Sequence, residues 1–79
     1  MNISAVNSTK ALISDVWFTG DMLYIRLLDG REIGTPLEWF PLLRKATCEQ
    51  KANWRLIGKG IGIHWEDLDE DISLAGLLR

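Results

Sequence analysis

One stretch near the end of the chain holds most of the residues that could do chemistry. Residues 62–73, GIHWEDLDEDIS, contain His64, which is the only histidine, together with one tryptophan and five carboxylates. A histidine beside carboxylates can act as a general base, bind a metal ion, or fix charges that contact a partner. These three roles require different neighbouring residues.

The acidic residues share only part of the spacing of a calcium-binding loop. Asp67, Asp69 and Asp71 match its first three ligands, but Ile72 and Leu78 stand where the loop needs glycine and glutamate. One histidine without a cysteine pair gives no zinc-ligand spacing, and no nucleophile signature accompanies it. We therefore predict no catalytic, cofactor-binding or metal-binding residues. A small metal-binding or hydrolytic enzyme stays open as the third alternative.

Length and charge limit the classes of protein that the chain can belong to. Its 79 residues, 47% of them hydrophobic, suit a single domain over residues 1–79, with residues 1–9 as a flexible start. The net charge is −2, and residues 61–79 hold five acids against one arginine. Proteins that bind a phosphate backbone normally carry a dominant basic patch, so nucleic-acid binding is not favoured.

The cysteine content and the N-terminus predict the cellular location. Cys48 is the only cysteine, so no intrachain disulfide can form and a reducing compartment is expected. The opening MNISAVNSTK lacks the basic and apolar regions of a signal peptide, and no apolar run approaches the ~20 residues that span a bilayer. We predict a soluble cytoplasmic protein that has no membrane contact.

Alternating apolar residues predict an antiparallel sheet in the first part of the chain. Residues 11–18, ALISDVWF, and residues 22–28, MLYIRLL, both read as strands, with a turn at residues 19–21 between them. Asp29-Gly30 then closes a second hairpin. The pattern predicts an N-terminal sheet of about three strands.

The loop of the second hairpin can be predicted from the residues that it would pair. A three-residue loop at residues 28–30 places Ile25 opposite Ile33 and Arg26 opposite Glu32, which satisfies both the core and a charge pair. We predict this loop, with its glycine in the left-handed conformation of a bulge.

Helix-start signals follow the sheet. Thr35 is a predicted N-cap, Pro36 the first helical residue, and Glu38 the residue that returns a hydrogen bond to the cap. Pro41 removes a helical amide, so the helix should kink or split near Phe40. The sequence therefore predicts two short helices here and in the next segment, rather than one long helix.

The remaining segments complete the predicted architecture. Residues 47–50 repeat the capping-box pattern and start a helix that includes Trp54. A glycine turn at residues 58–62 leads into a returning GIHW strand, in which His64 and its neighbour face opposite ways. Ser73 can cap a closing helical turn. The prediction is an α+β fold with two or three short helices.

The quoted motifs resemble a small bacterial family catalogued as domain of unknown function 2442. The resemblance covers roughly residues 12–78 and implies a compact α+β domain that often lies beside a gene for another small domain, as in a toxin and antitoxin pair. Some members also carry a helix-turn-helix segment; these 79 residues show none, so its DNA-binding role is not carried over. The matching residues are Asp29-Gly30, 36–43 (PLEWFPLL), Trp54, 58–62 and 62–73.

We predict a non-enzymatic interaction module, antitoxin-like or regulatory, that binds a protein partner without a cofactor. The product of a neighbouring gene is one candidate partner, and the exposed aromatic residues or a sheet edge would suit a homodimer. An acidic turn whose carboxylates only cap backbone amides is the architectural alternative. The predicted partner-binding residues are Trp39, His64, Trp65, Asp67, Asp69, Glu70 and Asp71.

Nucleic-acid binding is the second alternative function. It would use the basic residues that surround one tryptophan, since phosphates bind Lys and Arg and bases stack on aromatic rings. These residues are Arg44, Lys45, Lys51, Arg55 and Lys59 around Trp54.

Overall fold

The computed structural model describes residues 12–78, and the predicted flexible start at residues 1–9 lies outside this range. The described residues form two antiparallel three-stranded sheets with short helices between and after them, which confirms the predicted α+β fold. In each sheet the strands neighbour one another in chain order. The strands are β1 (Ile13–Thr19), β2 (Met22–Leu27), β3 (Glu32–Pro36), β4 (Trp54–Ile57), β5 (Gly62–Trp65) and β6 (Glu70–Ser73). The helices are a 3-10 helix (Leu37–Trp39), α1 (Pro41–Arg44), α2 (Cys48–Ala52) and α3 (Leu74–Leu77).

The first sheet has the predicted strands and register. Ile25 lies opposite Ile33 and Arg26 opposite Glu32, as the three-residue loop requires. Gly30 has a φ of 95°, which confirms the left-handed glycine. The charge pair also forms, with 2.7 Å between the Arg26 Nη2 and Glu32 Oε2 atoms.

The predicted helix start at Thr35 and Pro36 is wrong. Both residues end β3, where Thr35 lies opposite Leu23 and Pro36 opposite Met22. The helical turn begins only at Leu37, and no side chain caps it. Strand pairing prevails over the capping signal because Thr35 is buried in the sheet, with 3% of its surface exposed.

The predictions for the next two helices are largely confirmed. Pro41 starts a separate helix, α1, as its missing amide requires. The capping box of α2 forms: Gln50 N–H donates to Thr47 Oγ1 at 3.0 Å and Thr47 N–H donates to Gln50 Oε1 at 2.9 Å. Trp54 was wrongly included in this helix; it starts β4, where it lies opposite Trp65.

In the second sheet the sequence predicts the central strand, and it also allows a strand to begin at Leu56-Ile57, the last two residues of β4. β5 is the predicted GIHW strand, with β4 and β6 on either side of it. The acidic stretch therefore divides between a turn and the strand β6 instead of forming one turn. Ser73 caps α3 as predicted, because its Oγ accepts the Gly76 N–H at 3.0 Å.

The two sheets share one hydrophobic core. Ile13, Val16 and Ile25 of the first sheet and Ile63 and Trp65 of the second belong to the same buried cluster. A backbone hydrogen bond also joins the halves: Ile13 N–H donates to Gly60 O at 2.9 Å. Only glycine fits at position 60, because its φ is 117° and a Cβ atom would lie 2.5 Å from Ile13 O.

Candidate partner-binding site

The acidic hairpin consists of residues 62–73, which are β5, a four-residue turn and β6. Leu68 N–H donates to Trp65 O at 3.2 Å, and Asp69 N–H donates to Glu66 O at 3.4 Å. Asp69 has a φ of 52°, a left-handed conformation in which Asp and Asn are enriched among non-glycine residues. Asp69 thus closes the turn through its backbone and leaves its side chain exposed.

His64 joins both arms of the acidic hairpin. It lies on β5 opposite Asp71 of β6, and its Nδ1 atom is hydrogen-bonded to Asp71 Oδ1. On the other side of the ring, Nε2 is 3.1 Å from Glu66 Oε1. The side chain of His64 is 14% exposed, whereas those of Glu66 and Asp71 are each 68% exposed. The imidazole therefore holds two carboxylates that remain open to solvent.

The charge of His64 follows from these contacts. The hydrogen bond to Asp71 raises the pKa of His64 above its usual value of 6.5, and partial desolvation and the positive charge of Arg55 oppose this effect. In the protonated form, each ring nitrogen donates to a different carboxylate. The carboxylates of Glu66 and Asp71 are therefore held best when His64 is protonated.

Two residues of the preceding segment contact the turn. Asn53 Nδ2 donates to Asp67 Oδ2 at 3.2 Å, just before β4 begins. Arg55 of β4 lies opposite His64, and its Nε is 3.8 Å from Glu66 Oε1. Asn53, Arg55 and Glu66 are not among the predicted partner-binding residues, although Arg55 belongs to the basic residues of the nucleic-acid alternative. Glu66 could have been found, because it directly follows the predicted GIHW strand and residues two apart along a strand share a face.

Trp65 does not belong to this surface. It is fully buried, its Nε1–H donates to Lys51 O at 3.0 Å, and its ring meets Phe18 edge-on at 6.2 Å. The structure leaves Trp65 no exposed surface with which to contact a partner, and the ring faces away from His64 as expected for a strand.

The other predicted residues differ in position. Asp67, Asp69 and Asp71 are exposed on the acidic hairpin, and Glu70 is half-buried opposite Trp65. Trp39 is 57% exposed on the 3-10 helix after the first sheet. No hydrogen bond or ion pair among residues 12–78 joins Trp39 to the acidic hairpin. Of the four predicted carboxylates, the structure brings Asp71 into contact with His64, whereas Asp67 and Asp69 lie in the turn and Glu70 lies on the face of Trp65.

The contacts of His64 are suited to presenting charged carboxylates at the surface. Both nitrogens of His64 already contact carboxylates on opposite sides of the ring, so neither points at a common ligand position. Among the residues described, no group of three or more His, Cys, Asp or Glu side chains could hold a metal ion. The absence of a metal or cofactor stays a prediction.

Two of the basic residues of the nucleic-acid alternative already contact other side chains of the protein. Arg55 lies beside Glu66, and Lys51 Nζ lies 5.3 Å from the centre of the Phe18 ring. Arg44, Lys45 and Lys59 are exposed. The nucleic-acid alternative stays a prediction.

Within the range that the structure covers, no helix is long and apolar enough to cross a membrane.

Comparisons with known proteins extend the fold to other chains. A sequence model of the family described as protein of unknown function (DUF2442) matches residues 13–79. One similar solved structure is the crystal structure of a protein of unknown function from Rhodospirillum rubrum ATCC 11170 at 2.75 Å resolution. It is 28% identical, with 85% of this chain and 83% of that chain covered and a TM-score of 0.73. No curated protein matches the chain.

Proposed function

The chain belongs to the family described as protein of unknown function (DUF2442), and we propose that it is a binding module without catalytic activity that contacts a basic partner protein. The contact surface is the acidic hairpin. Its exposed carboxylates are Glu66, Asp67, Asp69 and Asp71.

One observation carries this proposal: the acidic hairpin holds several carboxylates in place while leaving them exposed. His64 contacts Glu66 and Asp71, and Asn53 contacts Asp67. Side chains that are ordered before binding lose less conformational entropy when a partner docks. Fixed charges that remain in solvent can therefore contact Lys and Arg on a partner at a smaller entropic cost than mobile ones.

The distribution of charge supports the same partner chemistry. Five acids fall within residues 66–71, while the net charge of the whole chain is only −2. A local negative surface speeds encounter with a basic surface and fixes its orientation, and the effect weakens as salt is added. An enzyme that acts on nucleic acid carries such a basic surface, because it must bind phosphates.

The biological role that fits this chemistry is antitoxin-like or regulatory. Carboxylates held on a rigid hairpin can cover a basic groove in the way that phosphates would occupy it. The partner would then be the product of a neighbouring gene, as the family resemblance implies. We expect this complex to form in the cytoplasm.

The test compares capture of a partner by three forms of the tagged chain. The acidic variant carries Asp67→Asn, Asp69→Asn and Glu70→Gln. It keeps Glu66 and Asp71 for His64, and Asn tolerates the left-handed position 69. The control variant loses the same number of charges at exposed positions outside the hairpin, through Asp21→Asn, Glu38→Gln and Glu49→Gln.

We expect the wild type and the control to retain one protein from the native lysate and the acidic variant to lose it. The captured protein is then purified, and its affinity is measured by calorimetry at two salt concentrations. Affinity should fall as salt rises. Equal capture by all three forms, with thermal melts showing that each is folded, would contradict the proposal.

A further inference from the structure

An apolar groove of about 530 Å³ lies beside the first sheet, and the acidic hairpin takes no part in it. One wall comes from β1 and the other from α2 and the start of β4. Its volume falls within the range of known ligand sites, about 300 to 1,000 Å³. The lining includes Val16, Trp17, Phe18, Lys51, Ala52 and Trp54.

The groove runs along a strand edge that has no neighbouring strand within residues 12–78. The first sheet has the order β1-β2-β3, which leaves β1 at its edge. Leu27 N–H donates to Arg31 O on the β3 side. The backbone N–H and C=O groups of the odd-numbered residues of β2 therefore point to β3, and those of the even-numbered residues point to β1. Residues opposite the odd-numbered ones therefore point their backbone groups away from β2.

Val16 and Phe18 are the residues that turn their backbone groups to this edge. They lie opposite Ile25 and Leu23, two of the odd-numbered residues of β2. Asp15 Oδ1 accepts the Val16 N–H at 2.8 Å, which blocks that amide. The register with β2 turns the Phe18 N–H, the Phe18 C=O and the Val16 C=O away from that strand, and no backbone hydrogen bond outside the strand ladders uses them among the residues described. Three groups therefore remain to pair with an added strand.

The charge in the groove comes from Lys51. Its Nζ lies 5.3 Å from the centre of the Phe18 ring, over the wall that β1 provides. No carboxylate within the described part of the chain pairs with it. A ligand in this groove would therefore gain from a carboxylate placed beside Lys51.

We propose that this groove binds an extended peptide segment of another protein, added as a short strand to the edge of β1. Apolar side chains of the segment pack against Trp17, Phe18 and Trp54, and an Asp or Glu of the segment contacts Lys51. Main-chain hydrogen bonds give affinity in this mode of recognition, and side-chain pockets give specificity. The groove does not depend on the acidic hairpin. Its ligand is acidic, whereas the proposed partner of the acidic hairpin is basic.

The chemistry of the groove disfavours the start of this chain as its occupant. Residues 1–11, MNISAVNSTKA, contain no acidic residue that could contact Lys51. A second copy of the chain is the other candidate, because β6 is also an edge strand and carries carboxylates. The experiment separates a second copy from a peptide of another protein.

The test selects peptides from a phage-displayed library of random short sequences against the full chain. Two variants obstruct the groove: Cys48→Trp fills it from the exposed start of α2, and Lys51→Glu reverses its charge. Two matched controls change exposed residues outside it: Glu49→Trp on the same helix and Lys45→Glu. Thermal melts establish that all four variants are folded.

We expect the selected peptides to alternate apolar residues and to carry an acidic residue. Their affinity should fall about tenfold or more in Lys51→Glu and Cys48→Trp, and stay unchanged in both controls. Binding should slow hydrogen exchange of the Phe18 amide, which distinguishes an added strand from side-chain contact alone. Binding should also persist in the Asp67→Asn, Asp69→Asn, Glu70→Gln variant, so that failure of this site and failure of the acidic hairpin are told apart.

Three results would overturn the proposal. The first is a selection that enriches no peptide or only peptides without an acidic residue. The second is binding that the groove variants weaken no more than the controls do. The third is a concentration-dependent dimer of the wild type that Cys48→Trp abolishes, because a second copy would then occupy the groove.

Discussion

The two sheets have the same strand order, but only the second has a histidine paired with a carboxylate across its strands. In the first sheet, Trp17 and Tyr24 stack across neighbouring strands, with ring centres 5.7 Å apart and planes 13° apart. In the second sheet, the corresponding cross-strand contact is the pair of His64 with Asp71. A histidine is the side chain that titrates near neutral pH. The difference places a group that titrates near neutral pH between two strands of the second sheet.

The same difference separates the two proposed binding surfaces. The first sheet offers apolar walls, an open backbone edge and Lys51 from the helix α2 beside it. The second offers the exposed carboxylates of the acidic hairpin. Together the two proposals give one small domain two binding surfaces of opposite chemistry, one beside each sheet.

The largest effect should come from Trp65→Ala, which tests whether the sheets are separate units at all. Trp65 belongs to the second sheet but contacts Phe18 of the first and donates to the backbone of α2. We expect a loss of about 3–5 kcal/mol in the free energy of unfolding, because a large buried ring is removed. Urea unfolding followed by circular dichroism and by fluorescence should show one coincident transition.

The matched control for that variant is Trp39→Ala. Trp39 is 57% exposed, so its removal should change the free energy of unfolding by only about 0.5 kcal/mol. Two separate transitions in Trp65→Ala, with the first sheet retained, would show that the sheets do not share a cooperative core.

A smaller effect is expected from Gly34→Ala, whose closest new contact is with the aromatic stack of the first sheet. A Cβ atom at position 34 would lie 2.6 Å from Tyr24 Cε1, so the ring must leave its place against Trp17. We expect a loss of about 1–3 kcal/mol in the free energy of unfolding, the usual range for overpacking. In a Tyr24→Ala background the added methyl group should cost little, and a double-mutant cycle measures this coupling. An undiminished cost in that background would show that the ring is not what the methyl group meets.

The smallest effect should be the pH dependence of the second sheet. The folded pKa of His64 is raised above 6.5, chiefly by Asp71. The stabilisation from this pair is therefore complete below the unfolded pKa and is lost as pH rises through the folded one. Urea titrations between about pH 5 and about pH 9 should show this decline in the wild type.

His64→Gln should remove that decline, and Asp71→Asn should reduce it. Glu66 and Arg55 also face the imidazole, so Glu66→Gln should reduce it less than Asp71→Asn does. The Gly34→Ala variant serves as the control, since it alters the first sheet and should keep the wild-type slope. A slope that persists in His64→Gln would place the titrating group elsewhere.

The first sheet could be predicted from the sequence because its signals are local. Apolar residues alternate in β2, and the pairing of Arg26 with Glu32 fixed the hairpin loop. The prediction of a helix start at Thr35 failed because a contact between distant residues decided the structure. The capping pattern is local, and it does not show that Thr35 pairs with Leu23 across the sheet.

The second sheet could be predicted only in part because its edge strands carry mixed signals. β6 holds Glu70 and Asp71, which are disfavoured in strands, and only Ile72 of that strand reaches the core. The acidic stretch was found as a candidate site, yet its contacts with Asn53 and Arg55 depend on β4, which the sequence placed partly in a helix. Strand alternation predicts that either His64 or Trp65 faces the core, but it does not decide which of them does.

The hydrogen bond between Ile13 and Gly60 has a consequence for how quickly the chain folds. Each sheet consists of hairpins with short loops, and contacts of low sequence separation form early. Ile13 and Gly60 are 47 residues apart, so bringing them together carries the loop-closure entropy of most of the chain. We expect the two sheets to form as separate hairpins first, and the docking of Gly60 onto Ile13 to set the rate of the final folding step.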